Sequence, residues 1–211
     1  MDIKKETLRY LGYRGEPDEL TASLLERCDK AFSDITPAYC CKVLPKSECE
    51  ILLQGNDINE HLEGCAKVIV FAATLGAASE KLIRTAEISD MAYAVVLDAY
   101  ASAFIEDYCD RCEEELRCKT GGFFTWRYSP GYGDYPISVQ SDFIRFLSAD
   151  KQIGLTATEN HILIPRKSVT AIIGISENGM QDEKYGCDSC NMRETCKYRK
   201  DGQSCGRKNI T

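Results

Sequence analysis

The stretch Arg127-Tyr128-Ser129-Pro130-Gly131-Tyr132-Gly133-Asp134-Tyr135-Pro136 is the most informative part of this chain of 211 residues. Glycines beside a proline let a backbone turn sharply and come close to a ligand. An arginine at the entrance can clamp a carboxylate through two parallel hydrogen bonds. Tyrosines offer flat apolar faces with a polar tip. On spacing alone two readings stand, a small-molecule loop and a Gly/Pro-rich connecting turn with surface aromatics. The connecting turn is the simpler one.

Working outward, the segment before the loop has helical periodicity to about Cys118, opened by Ser89 as N-cap with Asp90 in the first turn and closed by Gly121-Gly122. After the loop, Val139 to Leu147 reads as a short helix. Ile153 to Thr158, His161 to Pro165 and Val169 to Ile175 read as three closely spaced antiparallel strands. Nearer the N-terminus, Glu16 to Ile35 is helical, with Leu20, Leu24, Leu25, Cys28 and Phe32 at core spacing. Tyr39 to Leu44 and Cys49 to Leu53 read as short strands. Adjacent Cys40 and Cys41 then face opposite sides and are structural. Asp57 caps a short helix over Asn59 to Leu62. The apolar run Lys67 to Thr74 is a buried strand, and Gly76 to Ala86 a helix. Mixed helices and strands with hairpin-like connections near the end predict an α+β fold.

The net charge of -7 and pI near 5.0 argue against nucleic-acid binding, because an acidic chain gains nothing from counterion release. No apolar run approaches the roughly 18–20 residues that span a bilayer. The N-terminus shows no signal-peptide pattern, so the cytoplasm is the expected compartment. There is no Walker loop, Rossmann fingerprint or zinc-protease motif. The two histidines, His61 and His161, lie in no nucleophile-like motif and read as surface or capping residues. Glu113-Glu114-Glu115 reads as a solvated helix face. Arg166-Lys167 reads as a polar turn between strands that can also meet a phosphate or carboxylate.

Arg127, Pro130, Gly131, Tyr132 and Pro136 also resemble the Arg-x-x-Pro-Gly-Tyr-x-x-x-Pro signature of the activation domain of cobalamin-dependent methionine synthase. Further segments resemble its stand-alone bacterial members in the same order: His61 to Cys65, Phe71 to Gly76, Asp98 to Glu106, Ile153 to Thr156 and Pro165 to Ala171. The resemblance covers roughly Ala38 to Ser176. It implies an antiparallel sheet flanked by helices, one of them long. It also implies an accessory role: binding S-adenosylmethionine and promoting reductive methylation of inactive cob(II)alamin on a partner, a methionine synthase or related corrinoid protein, with flavodoxin or ferredoxin as electron donor. Proximity and orientation are the protein's share of such chemistry. Matched residue by residue, Arg127 holds the methionyl carboxylate, and Ser129 and Gly131 contact the ligand through their backbone. Tyr132 lies near the upper face of the corrin, its alternative being simple packing on the sheet.

The sequence departs from that pattern on the long helix. Two glutamates four residues apart, the first a contact to S-adenosylmethionine, correspond here to Ser102 and Glu106. Asp134 is a candidate replacement for the missing carboxylate. No Asp-x-His-x-x-Gly cobalamin motif is present, so any cobalamin is carried by the partner.

Composition changes at Ser176, which divides the chain into an activation-domain-like part, residues 1–176, and a tail, residues 177–211. Four of the twelve cysteines, Cys187, Cys190, Cys196 and Cys205, lie in this tail, which has almost no aliphatic residues. Four thiolates in a coreless segment fit one zinc ion or a [4Fe-4S] cluster, and disulfides fit a reducing cytosol poorly. Reactivation needs an electron, which tilts the choice towards iron–sulfur; a zinc staple is the alternative. Cys109, Cys112 and Cys118 repeat the initial spacing on the long helix but read as ordinary helix residues. Two rival functions stay open: a corrinoid-capping module that does not use S-adenosylmethionine, and an iron–sulfur redox adaptor.

Overall fold

The computed structural model describes residues 1–177. The tail cysteines Cys187, Cys190, Cys196 and Cys205 lie outside the described residues. Helices α1 (Ile3–Tyr10) and α2 (Glu19–Phe32) lead into strand β1 (Ala38–Pro45), followed by a 3-10 helical stretch (Lys46–Leu52), α3 (Asn56–His61) and β2 (Lys67–Thr74). Then come α4 (Gly76–Ser89), α5 (Met91–Thr120), β3 (Phe123–Phe124), α6 (Val139–Leu147), α7 (Ala149–Ile153), β4 (Thr156–Ala157), β5 (Leu163–Ile164) and β6 (Ser168–Ser176).

The main sheet is antiparallel, in the order β1-β2-β6-β3. Strand β2 is central and covered on both faces, which explains its unbroken apolar run. Ile69, Phe71 and Ala73 pack towards the layer of α2, α4 and α5, while Val68, Val70 and Ala72 pack on the opposite side against Phe143 and Leu147 of α6. The same alternation sends Cys40 to the α6 side and Cys41 to the α5 side, as their adjacency predicts. The fold is thus α+β, with a four-stranded antiparallel sheet flanked by helices including one of 30 residues.

Several boundaries differ from the sequence expectation, each for a local reason. Cys49 to Leu53 is not a strand. Cys49 and Leu52 are fully buried while Ile51 is exposed, a period of three that matches the 3-10 geometry found there. The N-cap of α5 is Asp90, whose side chain accepts from the Tyr93 amide (3.1 Å), and Ser89 closes α4 with its hydroxyl on the Thr85 carbonyl. Asp57 lies inside the first turn of α3, whose N-cap is Gly55. Helix α2 begins after Asp18, which caps the Thr21 amide, and Leu20 is exposed. The strands β4 and β5 are two residues each and pair only with one another. No helix among the described residues is long and apolar enough to cross a membrane.

Candidate functional site

Residues 123–128 run along the outer edge of β6. After the β3 pairing, the Thr125 amide donates to the Gly174 carbonyl, and Tyr128 exchanges two 2.9 Å backbone hydrogen bonds with Ile172. The strand-like alternation is kept here. Trp126 and Tyr128 turn to the α6 side of the sheet, and Arg127 between them turns to α5.

Beyond Tyr128 the chain leaves the sheet and folds on itself. The Tyr132 amide donates to the Ser129 carbonyl (3.3 Å) and the Gly131 amide to the Tyr135 carbonyl (2.8 Å). Tyr132 sits at the tip, half exposed, with its ring centroid 6.2 Å from that of Tyr128.

Segment 52–61 holds this loop at two places and the strand edge that leads into it at a third. The buried Tyr135 hydroxyl donates to the Leu52 carbonyl (2.7 Å). The Asp134 carboxylate accepts from the Asn56 amide (2.7 Å) and the Asp57 amide (3.0 Å), capping α3 where Gly55 has no side chain to do so. The His61 ring is 3.0 Å from the Trp126 carbonyl through Nε2 and packs edge-on to the Trp126 ring at 4.7 Å. Burial lowers the His61 pKa to about 4, against the opposing pull of that hydrogen bond, so the imidazole is neutral and Nε2–H donates. Hydrogen bonds from the Asn56 and Asp57 amides hold the Asp134 carboxyl below its ordinary range.

Arg127 lies on the other face of the edge. Its Nη1 donates to Glu113 (2.8 Å), and its Nη2 to Asp110 (2.7 Å) and Glu106 (3.2 Å). The arginine side chain is 15% exposed. Burial opposes its charge, but Cys109 and the surrounding carboxylates raise its pKa overall. Burial likewise pushes the Glu113 carboxyl up, against Arg127 and Arg117. Further along α5, Lys167 pairs with Asp98 (2.9 Å) and donates to the Ser102 hydroxyl (2.8 Å).

Of the residues singled out in the sequence, the structure brings Arg127 and Glu106 into contact and places Ser129, Gly131 and Tyr132 in one turn. Asp134 belongs to the same loop, but its carboxylate faces α3 and both oxygens accept backbone amides there. Glu113-Glu114-Glu115 is not uniformly solvated: Glu113 turns inward to Arg127, and Glu114 and Glu115 remain exposed. Lys167 meets a carboxylate, that of Asp98. His61 is an aromatic-packed residue rather than a surface one, and His161 meets the Ser141 hydroxyl through Nδ1 (2.8 Å).

The residues that sequence reasoning missed are Asp110, Glu113, Asp57 and His61. For the first two a signal existed: Glu106, Asp110 and Glu113 stand at i, i+4 and i+7 and share one face of α5. Among the described residues no group of three or more His, Cys, Asp or Glu is placed to hold a metal ion, so Cys109, Cys112 and Cys118 form no ligand set there. Cys109 and Cys112 are buried helix residues. Two open hollows, of about 400 and 340 Å³, lie between α2 and α4 or α5; none of their lining residues belongs to the loop, and they are crevices of helix packing.

The fold and site together define an α+β protein with a splinted aromatic loop on a sheet edge. No family model and no curated protein matches the chain. Among solved structures it is similar to the crystal structure of the MetH reactivation domain bound to AdoHcy, at 19% sequence identity and a TM-score of 0.48. The match covers 66% of this chain and 48% of that one, so the chain spans about half the length of the structure it matches.

Proposed function

We propose that this chain is an accessory protein of a cobalamin-dependent methionine synthase: it binds S-adenosylmethionine at the Arg127–Pro136 loop and promotes reductive methylation of cob(II)alamin carried by a partner. The observation that carries this reading is the presentation of the loop. Ser129 and Gly131 form a fixed turn, Tyr132 projects from its tip, and Arg127 stands at its base, in the order of the signature that the sequence resembles. A preformed loop loses little conformational entropy on binding.

The methyl donor and the partner's corrin supply the chemistry. This chain's residues bind and orient. Arg127 takes the ligand carboxylate, with Glu106 beside it, and Ser129 and Gly131 line the ligand with backbone. Tyr132 meets the upper face of the corrin and excludes water there, and Asp134 serves by holding the loop. The partner is a methionine synthase or related corrinoid protein, and flavodoxin or ferredoxin is the electron donor. Cys187, Cys190, Cys196 and Cys205 hold a [4Fe-4S] cluster or zinc; iron, labile sulfide and zinc analysis of anaerobically purified protein decides which.

One observation favours a second reading. Ser102, standing where the family has a ligand-contacting glutamate, is engaged by Lys167. A module that caps a corrinoid protein without S-adenosylmethionine fits that departure.

Calorimetric titration of S-adenosylmethionine separates the two readings. Saturable binding, weakened about tenfold or more by Arg127→Ala in a protein shown to be folded by circular dichroism, is the expected result. No binding, with or without a cob(II)alamin-loaded methionine synthase present, removes the methyl-donor reading and leaves the capping module.

A further inference from the structure

Arg127 is outnumbered by its own partners. Glu113 holds Nη1, while Glu106 and Asp110 both hold Nη2. These positions are not equivalent. The Glu113 side chain is 16% exposed and is also met by Arg117 at 3.2 Å, whereas Glu106 and Asp110 are 44% and 52% exposed. Exposed pairs are weak and open readily; buried pairs resist opening because a charge is left uncompensated. The outer edge of the guanidinium is therefore held by two loose internal competitors, in a cluster with more negative than positive charge.

We propose that Glu106 and Asp110 form a specificity gate on Arg127, holding Nη2 in the absence of ligand and yielding to a carboxylate ligand that brings its own positive charge. The inference rests on the assignment of Arg127 to a ligand carboxylate. A simple carboxylate anion must displace two carboxylates tethered at high local concentration, and it then lies beside the charges it has freed. A ligand with an ammonium or sulfonium near its carboxylate compensates those charges as it enters. The favoured class is an amino-acid zwitterion carrying a further cation, as in S-adenosylmethionine. S-adenosylhomocysteine, the neutral thioether left after methyl transfer, carries one positive charge fewer and is held less tightly, so the gate also favours product release.

The test uses Glu106→Gln, Asp110→Asn and the double variant in the full chain, with Glu113 untouched. The first readout needs no ligand: the rate at which phenylglyoxal modifies Arg127, followed by peptide mass spectrometry. The double variant is expected to react on the order of fivefold faster than the wild type, the scale of an exposed ion pair. The second readout is titration with the two adenosyl ligands. The wild type should prefer S-adenosylmethionine, and the double variant should bind S-adenosylhomocysteine on the order of fivefold more tightly, so the preference shrinks. An unchanged modification rate overturns the gate. Weaker binding of both ligands by the double variant also overturns it, since the carboxylates are then ligand contacts. Binding of neither ligand to any of the proteins overturns the proposed function and the gate's selectivity with it, and the modification rate still shows whether Nη2 was sequestered.

Discussion

Asp57 and Asp134, 77 positions apart in sequence, hold each other's backbone. The Asp134 carboxylate accepts the Asp57 amide at 3.0 Å, and the Asp57 carboxylate accepts the Asp134 amide at 2.9 Å. The pattern is that of a capping box built across the fold, with the loop supplying the cap that Gly55 lacks. It ties the position of Tyr132, two residues before Asp134, to that of α3. Glycine is required on both sides of the latch. A Cβ at Gly55 would lie 2.6 Å from Asp134 Oδ1, and one at Gly133 would lie 1.8 Å from Asp57 Oδ2.

Gly133→Ala therefore displaces the Asp57 carboxylate from the Asp134 amide and forces alanine into the left-handed region, φ +54°. The expected cost is about 1–3 kcal/mol in urea denaturation, with a parallel loss of loop-dependent binding. Unchanged stability would show that the latch is not formed in solution.

Tyr135→Phe removes the buried hydroxyl that donates to the Leu52 carbonyl. The ring still fills its place, so the loss is that of one hydrogen bond and an acceptor left without its donor, about 1–3 kcal/mol. Thermal unfolding reads it directly. A melting temperature equal to that of the wild type would mean that water replaces the phenol at Leu52.

How much of this was legible depended on how local the cause was. Lys67–Thr74 and Val139–Leu147 match the expected segments because burial on both faces, or on one helical stripe, is written in consecutive residues. Lys46–Leu52 misled because three apolar residues in a short run carry no clear period, and only burial shows that Cys49 and Leu52 share a side while Ile51 does not. The loop's glycines and tyrosines were visible as a candidate site, but what they lean on was not. Asp134 finds its partners in segment 52–61, and Arg127 finds its own on a helix that precedes it, through contacts set by topology. The acidic stripe of α5 was present as a spacing; that a buried arginine would face it was not.

His61 makes stability depend on pH. Its folded pKa, about 4, lies below the value of about 6.5 for an unperturbed histidine. Between those values the unfolded chain binds a proton that the folded protein refuses. Stability is complete above about pH 6.5, falls as the pH drops towards 4, and levels off below that, by on the order of 3 kcal/mol in all. His61→Phe keeps the aromatic packing and removes the titration, so its denaturation midpoint should lose this part of the slope between pH 6.5 and 4. Trp126 is the single tryptophan and touches the ring, so its emission should report the same titration in the wild type. An equal slope in both proteins would show that His61 is solvated.

Arg127→Ala tests the ion cluster apart from any ligand. Removing the guanidinium leaves Glu113 buried with Arg117 as its partner, and breaking a largely buried pair on one side costs on the order of 2–4 kcal/mol. Burial already raises the Glu113 pKa, and loss of Arg127 raises it further. An acid whose folded pKa lies above its unfolded value opposes folding once the pH passes the unfolded value, so the variant should lose most stability above about pH 4.5 and little below it. Arg127→Ala combined with Glu113→Gln removes the stranded charge and should recover a large part of the loss at pH 7 in a double-mutant cycle. Additive losses would place Glu113 and Arg127 in independent environments and would also make Arg127→Ala a clean control for ligand titration; the expected coupling means that Arg127→Ala must be compared with the double variant before a weakened affinity is assigned to lost ligand contact.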